Sequence, residues 1–300
     1  MLGQRMTITL AFDSFKGSLT SDEVADAFHE GLLSVLPHCT VNKVCIADGG
    51  EGTAEALVRT LKGEWCETMV SDPLGRLIKA RYGIIMHEST AIIEMASASG
   101  LPLLSPDERN PMKTTTYGTG QLIAHAISLG YRKFLVGIGG SATNDGGTGM
   151  LRALGFRFLD KEGGELTGGG EILGNIHRID SSKALPQLSE CQFTVACDVD
   201  NPLYGPKGAA HVFAPQKGAN AETVERLDKG LRNYAEAIHR FTGKDISHVP
   251  GAGAAGGMGA GMMAMLNARL AKGIDFVLDA LHFDDIIKGS DLVFVTCGMG

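Results

Sequence analysis

The 300-residue chain has little aromatic and little proline content, with one Trp, five Tyr and 10 Pro, and only 20% of its residues are charged. Its 27 basic and 34 acidic side chains leave a net charge of −7. An acidic chain poor in stacking side chains argues against a nucleic-acid partner. Few prolines and no glycine at every third position exclude a collagen-like chain. No Walker A string G-x-x-x-x-G-K-[ST] occurs, which argues against a P-loop fold. No G-x-S-x-G elbow is present, and the nine histidines form no His/Asp/Ser constellation. The cysteines at 39, 45, 66, 191, 197 and 297 contain no Cys-x-x-Cys pair and no zinc-like histidine spacing. They read as buried structural thiols suited to a reducing cytoplasm. Met6–Phe12 is too short for a signal-peptide core. The uncharged stretch Ile246–Ala268 is broken by six glycines, Pro250, His248 and Asn267, so membrane insertion is not expected.

What the chain has in excess is glycine: 41 of 300 residues, about twice the ordinary ~7%. A 44% hydrophobic fraction rules out disorder as the reason. The length corresponds to roughly two domains. Met6–Phe12 reads as a strand, and Thr20-x-x-Glu23 as a capping box opening a helix over Asp22–Leu36. A strand at Lys43–Ala47 and a helix near Thr53–Leu61 repeat the β-loop-α order, which predicts a parallel sheet flanked by helices. Further strands are expected at Arg81–Met86, Ala91–Met95, Lys133–Ile138, Phe193–Cys197 and Asp291–Thr296. Helices are expected at Gly120–Leu129, Ala221–Phe241 and about Gly257–Leu270. The glycine-dense stretch Lys161–Gly174 reads as a surface hairpin or loop.

Two G-x-G-x-x-[GA] strings, Gly137–Ala142 after a strand and Gly251–Gly256 before a helix, lack the acidic residue that a dinucleotide site needs. A stronger signal is the repeated D-G-G-x-G at Asp48–Gly52 and Asp145–Gly149, each opening a helix. Such turns can aim successive N–H groups at a phosphate or carboxylate, reinforced by the helix N-terminus. Each leading Asp reads either as an N-cap or as a metal ligand or general base. Lys16 shares a short post-strand loop with Asp13, Ser14 and Ser18, at the edge where open α/β sheets bind ligands. Asp198 and Asp200, followed by Asn201, form a hard-oxygen set suited to Mg²⁺, or simply a turn. Together these parts suit phosphoryl transfer, which depends on positioning and charge neutralisation.

Six ordered motifs carry a resemblance. Ala11–Leu19, Ala47–Thr53, Thr114–Gly118, Ile138–Gly147, Cys197–Gly205 and Pro250–Gly257 are similar to those of the bacterial type-1 glycerate kinases. The resemblance implies ATP- and Mg²⁺-dependent phosphorylation of D-glycerate, with the 2-hydroxyl favoured over the 3-hydroxyl. It implies two α/β domains, the first a Rossmann- or flavodoxin-like parallel sheet formed by residues 1–75 and 286–300. The second domain, residues 76–285, is inserted into the first, with the active site in the cleft between them. Catalytic roles then fall to Asp13, Lys16, Asp48 and Asp198, and Mg²⁺ to Asp198 or Asp200. ATP phosphates fall to Gly139, Gly140, Ser141, Thr143, Asn144, Asp145, Gly146 and Gly147. Ser14, Ser18, Thr115 and Thr116 are expected around the substrate. Lys16 would meet a phosphate or the glycerate carboxylate, and Asp13 or Asp48 would accept the hydroxyl proton. The resemblance also implies a Gly-Glu-Gly-Arg motif and further chain after the strand Asp291–Thr296, where this sequence reads Cys297-Gly298-Met299-Gly300. A first sheet lacking that continuation would expose an edge that favours association between copies or loss of activity.

Overall fold

A computed structural model describes residues 6–13, 18–46 and 52–296. Three strands form a small parallel sheet: β1 (Thr7–Phe12), β2 (Thr40–Cys45) and, at the far end of the sequence, a strand Leu292–Val295. Between them run β3 (Glu64–Ser71), β4 (Leu77–Ile85), β5 (Thr90–Glu94), β6 (Lys133–Gly137), β7 (Arg157–Leu159), β8 (Arg178–Asp180), β9 (Gln192–Ala196) and β10 (Arg269–Ala271). The closing strand is therefore β11, and the small sheet has the order β11-β1-β2. A six-stranded mixed sheet has the order β10-β9-β6-β5-β4-β3, parallel from β10 to β5 and antiparallel at β4 and β3. Strands β7 and β8 form a separate antiparallel pair.

β1 is buried on both faces, as is usual for parallel sheets, with Thr9 the one fully buried polar residue and hydrogen-bonded to Ser290 Oγ. Ile8, Leu10 and Phe12 pack with Val24 and Ala25 of the helix Ser21–Val35. That helix opens as expected, the Glu23 N–H donating to Thr20 Oγ1 and the Thr20 N–H to Glu23 Oε2. On the other face, Ala11, Val44 and Ile46 meet the helices Thr53–Thr60 and Gly273–Ala280. The same cluster contains Ile85, Ile92 and Ala196 of the large sheet. One helical layer thus joins the two sheets, through Leu57, Val58, Phe276 and Val277.

The main core lies on the other side of the large sheet. There the helices Tyr117–Ser128, Ala221–Thr242 and Ala254–Met265 pack with Phe134, Val136, Phe193 and Val195. The longest of these, Ala221–Thr242, buries Val224, Leu227, Leu231, Tyr234 and Ile238 at helical spacing. Asn220 caps its start, and Gly243, at φ 74°, ends it.

Three expectations change. Glu64–Ser71 is a strand, β3, so the chain has joined the large sheet before residue 75. The helix expected over about Gly257–Leu270 runs on from the left-handed stretch Ala255–Gly257 as expected but stops at Met265, because Arg269–Ala271 leaves to pair with β9. The five described cysteines are free but half-buried rather than fully buried. Burial nonetheless raises the thiol pKa of Cys45, Cys191 and Cys197, which keeps them weakly reactive. Among the described residues no helix is long and apolar enough to cross a membrane.

Candidate active site

Parallel strands β6 and β9 lie side by side and end together, with Gly137 paired to Ala196. Just past those ends is a cleft of about 390 Å³, lined by Ile138–Ser141, Cys197–Val199, Lys217 and Ala255 among others. Strand ends of an open α/β sheet are the usual ligand position, since the loops leave the backbone donors there unpaired. The turn after β6 does this. Among the described residues, the N–H groups of Gly139, Gly140 and Ser141 meet no acceptor. Gly140 has φ 69°, and a Cβ built at Gly139 would project into open space.

Lys217 is a cleft residue that the sequence reading missed. Only 1% of it is exposed, and its Nζ donates to Ser141 Oγ at 2.7 Å and to the Thr143 carbonyl at 2.6 Å. Burial pushes its pKa down to about 7, with Asp145 pulling in the other direction. It belongs to no recognised motif. The available signal was Pro215-Gln216-Lys217-Gly218, a lysine held in a tight turn directly after the short helix Ala209–Phe213.

Asp198 lines the same cleft at the end of β9, and its Oδ1 accepts the Gly273 N–H at 2.7 Å. That donor is the first residue of the helix Gly273–Ala280, so a helix N-terminus fixes the carboxylate. Asp200 is exposed and does not line the cleft. The amide of Asn201 is engaged with the Lys207 carbonyl.

The rest of the expected phosphate loop is placed differently. Thr143, Asn144 and Asp145 are fully buried, and Thr143–Gly147 lie outside the cleft lining. Most backbone donors of its glycine-rich half are already committed, while the buried side chains of Thr143 and Asn144 meet no partner among the described residues. Gly147 and Gly149 give their N–H groups to the Asp145 carboxylate, and Gly146 gives its own to the Gly256 carbonyl. Thr116 adds both its N–H, at 2.8 Å, and its hydroxyl, at 2.9 Å, to Asp145 Oδ2; Thr115 Oγ1 adds a longer bond. Asp145 therefore acts as the cap of the helix Thr148–Ala153 and ties it to residues 115–116. Those two threonines serve that carboxylate rather than the cleft.

Of the residues expected near the substrate, Asp13 follows β1 and donates its N–H to Thr296 Oγ1 at 3.0 Å, and Ser18 is exposed. Ser14, Lys16 and Asp48 lie outside the described residues. The D-G-G-x-G string beginning at Asp48 leads into the helix Thr53–Thr60, whose Ala54 N–H donates to Glu94 Oε1 at the end of β5. The ends of β1, β5, β6 and β9 are thus connected through one helix start and one apolar cluster.

The sequence profile of the glycerate kinase family matches residues 8–299. A glycerate kinase of Haemophilus influenzae is 49% identical over 96% of this chain and 76% of its own length. One from Halalkalibacterium halodurans is 46% identical over 98% of the chain and 77% of its own length. The glycerate 2-kinase of Escherichia coli K12 is 46% identical over 96% and 76%. The crystal structure of a protein named as glycerate kinase 2 of Salmonella typhimurium LT2 superposes with a TM-score of 0.94 at 46% identity, covering 97% of this chain and 78% of that one. The chain belongs to the glycerate kinase family.

For a glycerate kinase, the chemistry of this cleft can be tested against Mg²⁺. Among the described residues no group of three or more His, Cys, Asp or Glu could enclose a metal. Mg²⁺ does not need one, since it keeps several waters and binds through one or two carboxylates plus substrate phosphates. A single oriented carboxylate, Asp198, beside unpaired N–H donors fits that mode.

Proposed function

We propose that this chain transfers the γ-phosphoryl group of ATP to D-glycerate, at the 2-hydroxyl in preference to the 3-hydroxyl. The observation that carries this reading is the cleft itself. Three backbone N–H groups at the end of β6, without acceptors among the described residues, and an oriented carboxylate at the end of β9 share one concavity. Family membership and the naming of the Escherichia coli relative as a glycerate 2-kinase support the substrate and the position.

In this reading the Gly139–Ser141 turn cradles the nucleotide phosphates, and Thr143–Gly147 is the rigid support behind it. Asp198 would hold Mg²⁺, with Asp200 as a second-choice ligand, and the ion would neutralise charge on the β- and γ-phosphates. The glycerate 2-hydroxyl oxygen attacks the γ-phosphorus, the bond to the β,γ-bridging oxygen breaks, and ADP leaves. Asp13 or Asp48 takes the hydroxyl proton, and Lys16 neutralises the glycerate carboxylate or a phosphate. Transfer of this kind is accelerated mainly by alignment and charge stabilisation. The small sheet, built from both ends of the chain, would form one domain, with the segment between them inserted and the active site at their junction.

The test is ADP release on mixing Mg-ATP with D-glycerate, with phosphorus NMR of the product. Turnover giving 2-phosphoglycerate is expected, together with a loss of at least about 100-fold in Asp198→Ala. Tight binding of both ligands without product would show a non-catalytic binder instead. Neither binding nor turnover would sink the reading.

A further inference from the structure

Lys217 is not explained by the fold. A buried ammonium is costly unless paired, and neither of its two recorded acceptors is charged. Among the described residues no carboxylate lies within ion-pair distance of it. Asp145, the carboxylate whose charge acts on it, already has its oxygens occupied by Thr116, Gly147 and Gly149. An ammonium has three donors, and among the described residues only two are matched.

The neighbouring groups complete the pattern. Ser141 Oγ accepts from Lys217, so its own proton must be directed elsewhere, and no acceptor for it is present among the described residues. Beside it are the three unaccepted N–H groups of residues 139–141. This wall of the cleft therefore presents a cluster of donors, one of them a lysine able to carry a positive charge. That is the composition of an oxyanion site lacking only its anion.

Resting on the kinase reading above, we infer that Lys217 is the cation that binds a phosphate oxygen of the nucleotide, in concert with Ser141 and the Gly139–Ser141 amides. Its counter-charge arrives with the ligand. Because Asp198 stands at the adjoining strand end, the phosphates would lie between a buried cation and a carboxylate able to hold Mg²⁺. A glycerate carboxylate would satisfy the same donors chemically, so the two ligands must be tested separately. Phosphate is favoured because five donors converge here, more than one carboxylate oxygen pair uses.

The experiment uses the full chain with Lys217→Met and Lys217→Arg, and measures ATP and D-glycerate binding separately by calorimetry. Lys217→Met is expected to weaken ATP binding on the order of 100-fold. D-glycerate affinity should stay within about threefold, and Lys217→Arg should restore part of the loss. Loss of D-glycerate binding with ATP binding intact would overturn the assignment, as would no change in either. Should Lys217→Met fail to fold, proton uptake by the wild-type protein decides the matter. With burial holding Lys217 near neutrality and Asp145 and Arg109 as the other charged groups packed around its turn, ATP binding at pH 8.5 should take up most of one proton. No uptake would overturn the proposal. Wild-type turnover, measured alongside, keeps failure of the kinase reading distinct from failure of Lys217's role.

Discussion

The Gly146 N–H donates to the Gly256 carbonyl at 3.0 Å, joining two glycine-rich segments far apart in the sequence. The approach is close along its whole length. A Cβ at Gly256 would lie 2.1 Å from the Thr143 carbonyl oxygen, and one at Gly261 would lie 2.6 Å from that of Gly146. Ala255, Gly256 and Gly257 all have positive φ, which turns the backbone into this contact. Much of the glycine surplus thus serves backbone-on-backbone packing beneath the cleft, not the cleft itself.

Two glycine substitutions should therefore behave oppositely. Gly256→Ala combines a φ of 69° with the Thr143 clash and should cost at least about 2 kcal/mol, read as a lower denaturation midpoint. Gly139→Ala meets nothing within 4 Å and should leave stability within about 0.5 kcal/mol. Its methyl would occupy ligand space, so the KM for ATP should rise about tenfold. Equal stability loss in both would refute this division of roles.

The three aspartates likewise separate. Asp145→Asn places an amide where three N–H donors and two hydroxyls now converge, and should destabilise the fold by about 3 kcal/mol or more. Asp198→Asn should keep the melting temperature and lose activity, with partial rescue by high Mg²⁺. Asp200→Asn should fall between wild type and Asp198→Asn in activity. A melting temperature for Asp145→Asn equal to that of wild type would show that the carboxylate is not structural.

How far the sequence was legible depended on how local each signal was. The Thr20–Glu23 capping box, the strand Met6–Phe12 and the amphipathic helix ended by Gly243 are local patterns, and each forms as read. β3 was hidden because Glu64 and Glu67 interrupt an edge strand with little burial. β10 is three residues long and exists only by pairing with β9, which no window of sequence records. The Asp145 loop carries the chemistry of an anion nest, yet its own carboxylate fills it. Lys217 reaches Ser141 across 76 positions, so its burial is a property of the folded chain alone.

The closing strand bears on the site through Thr296. Its hydroxyl accepts the Asp13 N–H, while the Asp291 N–H and carboxylate clamp the other end of β1 at Thr7. Thr296→Val should cost about 1 kcal/mol of stability. It should also lower kcat more than it raises either KM, because Asp13 is displaced. Thr296→Ser, which retains the acceptor, should restore both. A Val variant with unchanged kcat would remove Asp13 from the catalytic step.

The last prediction concerns pH. Burial holds Lys217 at about 7 in the fold, whereas the unfolded chain returns it to the ordinary 10.5. Below pH 7 both states carry the proton, so its effect on stability is constant there. Between about 7 and 10.5 the unfolded state binds a proton that the folded state has released, and the ligand-free protein should gain stability as pH rises. The gain should approach, at most, about 1.4 kcal/mol per pH unit, read from urea denaturation at pH 7 and pH 9. Thiols and tyrosines also titrate in this range, so the comparison is with Lys217→Met, in which the Lys217 contribution disappears. Bound ATP should flatten the slope, because the phosphate keeps the ammonium charged and the folded and unfolded states then carry the same proton over this range. A pH slope identical in wild type and Lys217→Met would show that the ammonium has kept its ordinary pKa and faces water.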